Sequence, residues 1–368
     1  EREEMDREIE KLEVYQSAIE EQFMARDGED ISVKDEAKIL RKGKWKARVH
    51  NALTAIGIIV AVTIVCGIFT AVFFARGELN RIDIYRDVVA STIAVTQPNL
   101  YLRNDGTNVK PFFSAEMNGG LYKQIGSEFI KEGEFKIDFL LTRAGYPERK
   151  WLQNDTLRYS FRYPGTGNEG SNRDWGKLEK LPEGTVAEAY LSFDKLYPTA
   201  EILNKFRNRE MKPVWFVVDT SFDNTSEEIP TTIQFPIGFS YEPVWHNSDR
   251  ITTQQRVEKD GLFVKAISSS GYYPQLEEYG SAELREEHFL KTLELLKQHE
   301  SIANRVAMGP ELRLQQRIDY VKEHGVNIYG AVVTGPSKEI LKLREEPWVS
   351  AVYVGEVKLW NWDYAMAP

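Results

Sequence analysis

The chain has 368 residues, a formal net charge of -9 and a single cysteine, Cys66. One cysteine excludes a disulfide framework within the chain, and this composition leans towards a bacterial surface protein, because large eukaryotic ectodomains usually carry bridges. The acidic total hides a local polarity: residues 1–36 are rich in Glu and Asp, whereas Lys38 to Arg48 holds six basic residues and no acidic one. Direct nucleic-acid binding is not expected of such a chain.

The chain opens at Glu1 inside a helical pattern and without Met, so upstream residues are expected. Residues 1–25 place Met5, Ile9, Leu12, Tyr15 (or Gln16), Ile19 and Phe23 at steps of three or four, one apolar stripe on a helix. Glu10, Glu13 and Glu20 stand among the acidic residues of the other faces. A helix of this kind cannot bury its stripe alone and must pack on another helix, upstream or in a partner. Asp27-Gly28-Glu-Asp30 ends it, and Ser32 is a good N-cap for a second helix through Leu40. Two readings stay open here: an acidic juxtamembrane helical hairpin, or a docking helix for a basic soluble partner.

Val49 to Ala75 contains no Lys, Arg, Asp or Glu. As a helix it spans roughly 35–40 Å, enough to cross a bilayer. A buried core helix rarely runs so long without a charge, and a cleavable signal sequence would lie nearer the N-terminus with a better cleavage site than Ala75-Arg76-Gly77. A pore-lining helix would come with further spans. The reading is a single transmembrane helix over residues 49–75. Arg41, Lys42, Lys44, Lys46 and Arg48 anchor it at anionic head groups and place the N-terminus in the cytoplasm. The pairs Gly57/Ala61 and Gly67/Ala71 have the four-residue spacing that lets a partner helix approach closely. Thr54, Thr63 and Thr70 can satisfy their hydroxyls on their own helix backbone, so neither a channel nor a proton relay is expected.

Beyond the span, Leu79 to Val95 has apolar positions at helical spacing and reads as a stalk helix stopped by Pro98 (residues 76–98). Residues 99–368 read as an extracellular mixed α/β domain, with a division near residue 250 left open. Strands are predicted at Lys136–Thr142, Leu157–Tyr163, Val186–Phe193, Val214–Asp219, Thr232–Ser240, Asn327–Thr334 and Val349–Val357. Helices are predicted at Glu283–Ala307 and Glu311–His324, the second stopped by Gly325. A weak repeat relates Val186–Phe193, Pro198, Glu201–Leu203 and Trp215–Val218 to Ile328–Thr334, Pro336, Glu339–Leu341 and Val349–Val354. Each copy reads as strand, helix with Pro at its first turn, strand, so two βαβ units with parallel strands are expected. The fold class is therefore α+β: N-terminal cytoplasmic helices over residues 1–48, one transmembrane helix, and an extracellular domain with two βαβ units.

Catalytic chemistry is thin. His288 and His299 share a helix face but stand roughly 16 Å apart, too far for one metal. Gly165-Thr-Gly-Asn-Glu-Gly170 has the dinucleotide glycine spacing without the following helix, and Ser268–Gly271 lacks the context of a nucleophile elbow. The acidic loop Asp219–Glu228 lacks the glycine and the spacing of a calcium loop. Trp348, Trp360 and Trp362 fit a core or interface better than a sugar site. No enzyme activity, cofactor or metal is expected.

Three stretches resemble the sigma-factor regulator family of membrane anti-sigma factors. They are Glu10-Lys-Leu-Glu-Val-Tyr-Gln16 with Lys38-Ile-Leu-Arg-Lys-Gly-Lys-Trp-Lys46; Asp83-Ile-Tyr-Arg-Asp-Val-Val89 to Thr96-Gln-Pro98; and His288-Phe-Leu-Lys-Thr-Leu293 with Tyr329-Gly-Ala-Val-Val-Thr-Gly-Pro336, Pro347-Trp348 and Trp360-Asn-Trp362. The resemblance implies that residues 1–48 hold an extracytoplasmic-function sigma factor at the membrane, that the outer domain senses or stabilises, and that release switches on envelope-stress genes. It implies a metal-free mode of binding, because the zinc-binding His/Cys cluster of many other anti-sigma domains is missing. The sigma-facing residues would be Ile9, Glu10, Leu12, Glu13, Tyr15, Ile19, Glu20 and Phe23, with a second small membrane protein possible against Gly57, Ala61, Gly67 and Ala71. The competing readings are an anchored sensor or scaffold without sigma binding, and an anchored extracellular enzyme.

Overall fold

A computed structural model of the chain describes residues 11–22, 33–76, 79–152, 161–165, 174–221, 233–260 and 264–359. Two compact units divide it, Glu1–Val65 and Cys66–Pro368. Helix α1 covers residues 11–22 and helix α2 runs Val33–Ala75. The second helix expected to end at Leu40 does not end there. Between Lys38 and Arg48 the chain has strong helix formers and one weak residue, Gly43, too little to stop a helix that continues into the apolar stretch.

Helix α3 (Arg81–Thr96) starts at Asn80, whose side-chain oxygen accepts the Asp83 amide at 2.8 Å. It was expected as a stalk and is instead a core helix. Val88, Val89 and Ile93 are fully buried, and Ser91, Thr92 and Thr96 in its C-terminal half are buried with them. Thr92 and Thr96 make this possible by donating to the carbonyls of Val88 and Thr92, each at 2.7 Å.

The first sheet is an antiparallel meander of β1 (Tyr101–Lys110), β2 (Ser114–Ile125), β3 (Glu128–Leu140) and β4 (Arg143–Ala144), with β5 (Glu148–Trp151) also paired to β3. After α4 (Trp175–Lys180) come β6 (Thr185–Pro198), α5 (Thr199–Phe206), β7 (Lys212–Val218) and β8 (Gly238–Ser240). The hairpin β9 (Ile251–Asp260) and β10 (Val264–Tyr272) follows, then α6 (Ala282–Gln298), α7 (Glu300–Ala307) and α8 (Leu314–His324). The chain closes on β11 (Asn327–Pro336), α9 (Ser337–Leu341) and β12 (Val349–Leu359). The single helix expected over Glu283–Ala307 is broken at His299, and residues 311–313 precede α8 rather than belong to it.

The second sheet has the order β12-β6-β11-β7-β8, and every neighbouring pair is antiparallel. The expected βαβ units, two parallel strands joined by a helix, are not found as hydrogen-bonded parallel pairs. Strands β6 and β7 run the same way but are separated by β11, and β11 and β12 are separated by β6. Each strand–helix–strand stretch of the repeat is thus split by a strand of the other, the arrangement of a split βαβ fold. Pro198 and Pro336 sit at the cap position just ahead of α5 and α9, where a missing N–H costs nothing.

Both faces of this sheet are buried. Ala187, Ala189, Leu191, Phe193, Phe216, Val218 and Val333 join the main core with α3, α5–α8 and the first sheet. Tyr190, Trp215, Val217, Tyr329 and Val332 form a second cluster with Phe161 and Tyr163. Residues on both sides of position 250 belong to one unit.

The two sheets are joined by a buried charge pair. Glu188 on β6 is fully buried; its carboxylate accepts Lys123 Nζ at 2.9 Å and Asn99 Nδ2 at 2.8 Å. Asn99 itself, at φ 54°, exchanges two hydrogen bonds with the backbone of Gln124. Removing one partner of such a pair strands the other in low dielectric. Lys123→Met should lower the unfolding free energy of the C-terminal unit by about 3–5 kcal/mol, and Lys123→Met with Glu188→Gln should recover part of it, read by chemical denaturation.

Candidate functional site: the N-terminal helix and the apolar span

On α1, Leu12 (67 % exposed), Tyr15 (71 %) and Ile19 (52 %) are spaced three and four apart and so share one side of the helix. Glu13 and Glu20 are exposed as well. Ile9, Glu10 and Phe23 lie outside the described residues. An isolated helix is marginal in water without tertiary contacts, and three large apolar side chains on one face are the kind of surface a protein partner covers. Sequence periodicity found this stripe; Val14, also exposed, lies off it.

Arg41, Lys42, Lys44, Lys46 and Arg48 form an exposed collar on α2, with Trp45 exposed among them. Interfacial tryptophan beside basic residues is the ordinary anchor of a helix at a head-group layer. Ala37–Ala75 is long and apolar enough to cross a membrane, and among the described residues it is the one such helix. Ile56, Ile58, Ile59, Ile64 and Phe69 project from it uncovered, an apolar surface that water does not tolerate on a folded protein. Its hydroxyls are satisfied within the helix: Thr54 donates to His50 O at 2.9 Å, Thr63 to Ile59 O at 2.8 Å and Thr70 to Cys66 O at 2.7 Å. A Cβ added at Gly57 or Gly67 would meet no neighbour within 4 Å, so both positions are open to another helix.

The C-terminal unit holds one polar cluster that the sequence spacing did not reveal. His246 and Asp249, on a loop and 3-10 turn, meet His288 of α6, forty residues on in the chain. Asp249 Oδ2 lies 3.6 Å from His246 Nδ1 and 3.3 Å from His288 Nε2, and it accepts the His246 amide at 2.8 Å; Lys291 pairs with Oδ1. Two imidazoles and a carboxylate are a donor set that can take a divalent transition ion. The same contacts also serve as a brace, because His246 Nε2 reaches Ser91 Oγ of α3 at 3.1 Å and Asp87 of α3 accepts the Asn247 amide at 2.8 Å. Elsewhere, a broad groove carries Arg209, Lys212 and Lys358, but each is paired, with Glu346, Glu242 and Glu356.

Burial, reinforced by the facing His288, pushes His246 down to about 4, while burial pushes Asp87 up to about 6. Asp249 is held below the usual carboxylate range by His288 and Lys291 against the opposing effect of its burial. The signs follow. The folded state keeps His246 neutral, so its stabilising share is complete above about pH 6.5 and is lost as pH falls towards 4, whereas Asp87 works against stability as pH rises from about 4 to 6. His246→Gln isolates the first effect. The stability gap between wild type and variant should shrink by up to about 3 kcal/mol between pH 7 and pH 4, measured by denaturation at each pH.

The sigma factor regulator N-terminal family matches residues 37–130, and the sigma factor regulator C-terminal family matches residues 178–356. The chain belongs to the sigma-factor regulator family. It is 28 % identical over 365 residues to the probable anti-sigma-M factor YhdL of Bacillus subtilis (strain 168), an alignment covering 97 % of this chain and 93 % of that protein. No solved structure matches the chain.

Proposed function

We propose that this chain is a membrane-anchored anti-sigma factor. Its N-terminal segment holds an extracytoplasmic-function sigma factor at the cytoplasmic face of the membrane and keeps it from RNA polymerase, which represses envelope-stress transcription. The observation that carries this reading is the stripe Leu12, Tyr15 and Ile19, flanked by glutamates on α1 and exposed among the described residues. Membership of the sigma-factor regulator family and the likeness to a probable anti-sigma-M factor supply the kind of partner. Ile9, Glu10 and Phe23 extend the same periodic stripe and its acidic border.

The basic collar from Arg41 to Arg48 supports a cytoplasmic N-terminus, since cations are retained on that side. The C-terminal unit then lies outside, where it senses or stabilises without catalysis. By helix arithmetic Gly57, Ala61, Gly67 and Ala71 fall within one arc of α2, the face on which a small membrane protein would pack.

Each large apolar anchor at an interface is worth about 1.5–3 kcal/mol. Leu12→Glu with Ile19→Glu should therefore weaken capture of the sigma factor by at least about a hundredfold and raise sigma-dependent transcription. The measurement is co-purification from membranes together with a reporter of the sigma regulon. Unchanged repression by a stably inserted double variant would sink the proposed surface. Orientation is read separately in a Cys66→Ser background. A membrane-impermeant maleimide on intact cells should label Thr253→Cys, whereas Ser17→Cys should react only after the membrane is opened; the reverse pattern would place the N-terminus outside.

A further inference from the structure

The last turns of α2 do not leave the C-terminal unit freely. Thr70 is buried, and its hydroxyl oxygen accepts the Phe113 amide at 2.9 Å while donating to Cys66 O. Phe73 meets Phe113 edge to face at 5.7 Å, and Phe74 is buried in the main core. Arg81 lies 4.2 Å over the Phe73 ring and hydrogen-bonds its carbonyl, which satisfies one of the open acceptors at the helix end. The turn between β1 and β2 is therefore tied to the apolar helix itself.

The β3–β4 turn is stitched to the same place. Leu141 donates its amide to Phe113 O at 2.8 Å, Tyr85 Oη donates to Leu141 O at 3.3 Å, and Leu140 stands opposite Ser114 in the strand register. Phe112, Phe113 and Leu141 adopt left-handed backbone conformations at φ 64°, 56° and 56°. Glycine or asparagine is the usual occupant of such positions, and large apolar residues there are a strained choice that points to a use for the side chains. Phe113 packs on Phe73, whereas Phe112 and Leu141 face outwards together with Leu140 and Val109: Phe112 is 54 % exposed, Leu140 58 %, Leu141 45 % and Val109 44 %. Residues 109–113 and 139–143 contain Lys110 and Arg143 and no acidic residue, and Arg76 at the end of the span is also exposed.

Depth follows from length. The uncharged stretch Val49–Ala75 would be roughly 40 Å long, about 10 Å more than a hydrocarbon core requires. Thr70 lies about 9 Å before Arg76 along the helix, so the surplus coincides with the part that the two turns grip. Interfacial elements bury their apolar side by about 5–10 Å at the head-group boundary.

The geometry points to a membrane foot: the β1–β2 and β3–β4 turns insert Phe112, Leu140 and Leu141 into the lipid leaflet that faces the C-terminal unit, with Lys110 and Arg143 at anionic head groups. This rests on α2 being the membrane span and not on which compartment the unit occupies. Lys110 keeps its ion pair with Glu116 at 2.6 Å while half of its side chain remains exposed, so it can meet a phosphate without breaking that pair. The foot makes the unit a peripheral membrane body as well as a tethered one.

The full chain with Cys66→Ser, reconstituted in phosphatidylcholine–phosphatidylglycerol vesicles, carries a nitroxide at Phe112→Cys, Leu140→Cys, Thr253→Cys or Ile59→Cys in turn. Collision rates with oxygen and with a water-soluble nickel chelate are read by power-saturation electron paramagnetic resonance. The foot predicts an oxygen-to-nickel ratio at 112 and 140 severalfold above that at 253. Two independent sites guard against one disturbed turn. Equal ratios at 112, 140 and 253 overturn the proposal, with the turns in water. Low collision with both reagents at 112 and 140 also overturns it, because protein then covers the turns. The label at 59 separates the two claims: lipid-like values there with water-like values at 112 and 140 reject the foot alone, whereas water-like values at 59 reject the span.

Discussion

The constraint on which everything else depends is the run of uncharged residues between Arg48 and Arg76. Such a helix satisfies its backbone internally and leaves its isoleucines and valines uncovered, so lipid is the environment that suits it. Everything on either side then inherits a position. The collar ahead of it takes the head-group layer. The residues behind it have no freedom to begin as an independent domain, because Thr70 and Phe74 are already part of the next fold.

That continuity explains why α3 is not a stalk. A stalk helix would keep one polar face. In α3 even Ser91, Thr92 and Thr96 are buried, and the Trp215 indole donates to Ala94 O at 2.7 Å from the opposite sheet. Periodicity in Asp83–Thr96 showed the apolar side, but buried threonines that bond back to their own helix carry no polar signal to distinguish core from surface. The same blindness hid β1 and β2. Tyr101–Lys110 is mostly polar and half exposed, and Ser114–Ile125 mixes glycine, asparagine and glutamate with its core residues, so neither shows the alternation by which strands are recognised. Strands β7, β11 and the first nine residues of β6 were legible because both of their faces are buried and their sequences are rich in apolar residues.

The repeat was legible as well, but not its pairing. Strand, helix and strand in sequence allow the two strands to lie side by side or to admit a third between them, and only the long-range register of β11 against both β6 and β7 decides. The polar joints were invisible for a related reason. Lys123 and Glu188 are far apart in the chain, as are His246 and His288, and spacing within a single element cannot announce them. These joints sit where separate elements must hold one arrangement: the first sheet against the second, and α3 against α6 through His246. On the N-terminal side the outcome is reversed. The stripe of α1 is a reading of spacing; Leu12, Tyr15 and Ile19 are exposed on one side of α1, and Met5, Ile9 and Phe23 lie outside the described residues.

Under the proposed function the two exposed features stand on opposite sides of a bilayer with one helix between them, and this limits how they communicate. The Thr54, Thr63 and Thr70 hydroxyls of this helix are satisfied on its own backbone and offer no polar partner for a second helix to exchange. The helix can transmit a change in depth, tilt, rotation or association, and a ligand acts through any of these only by its differential affinity for the two states. The grip of Phe113 on Thr70 makes the last turns of α2 part of the C-terminal unit, so that helix end moves only with the two turns. Association is left to the open face around Gly57 and Gly67. An inverted population ratio, from 1:99 to 99:1, needs about 5.5 kcal/mol of differential binding, so a signal that releases a tightly held partner has to act on several of these contacts together.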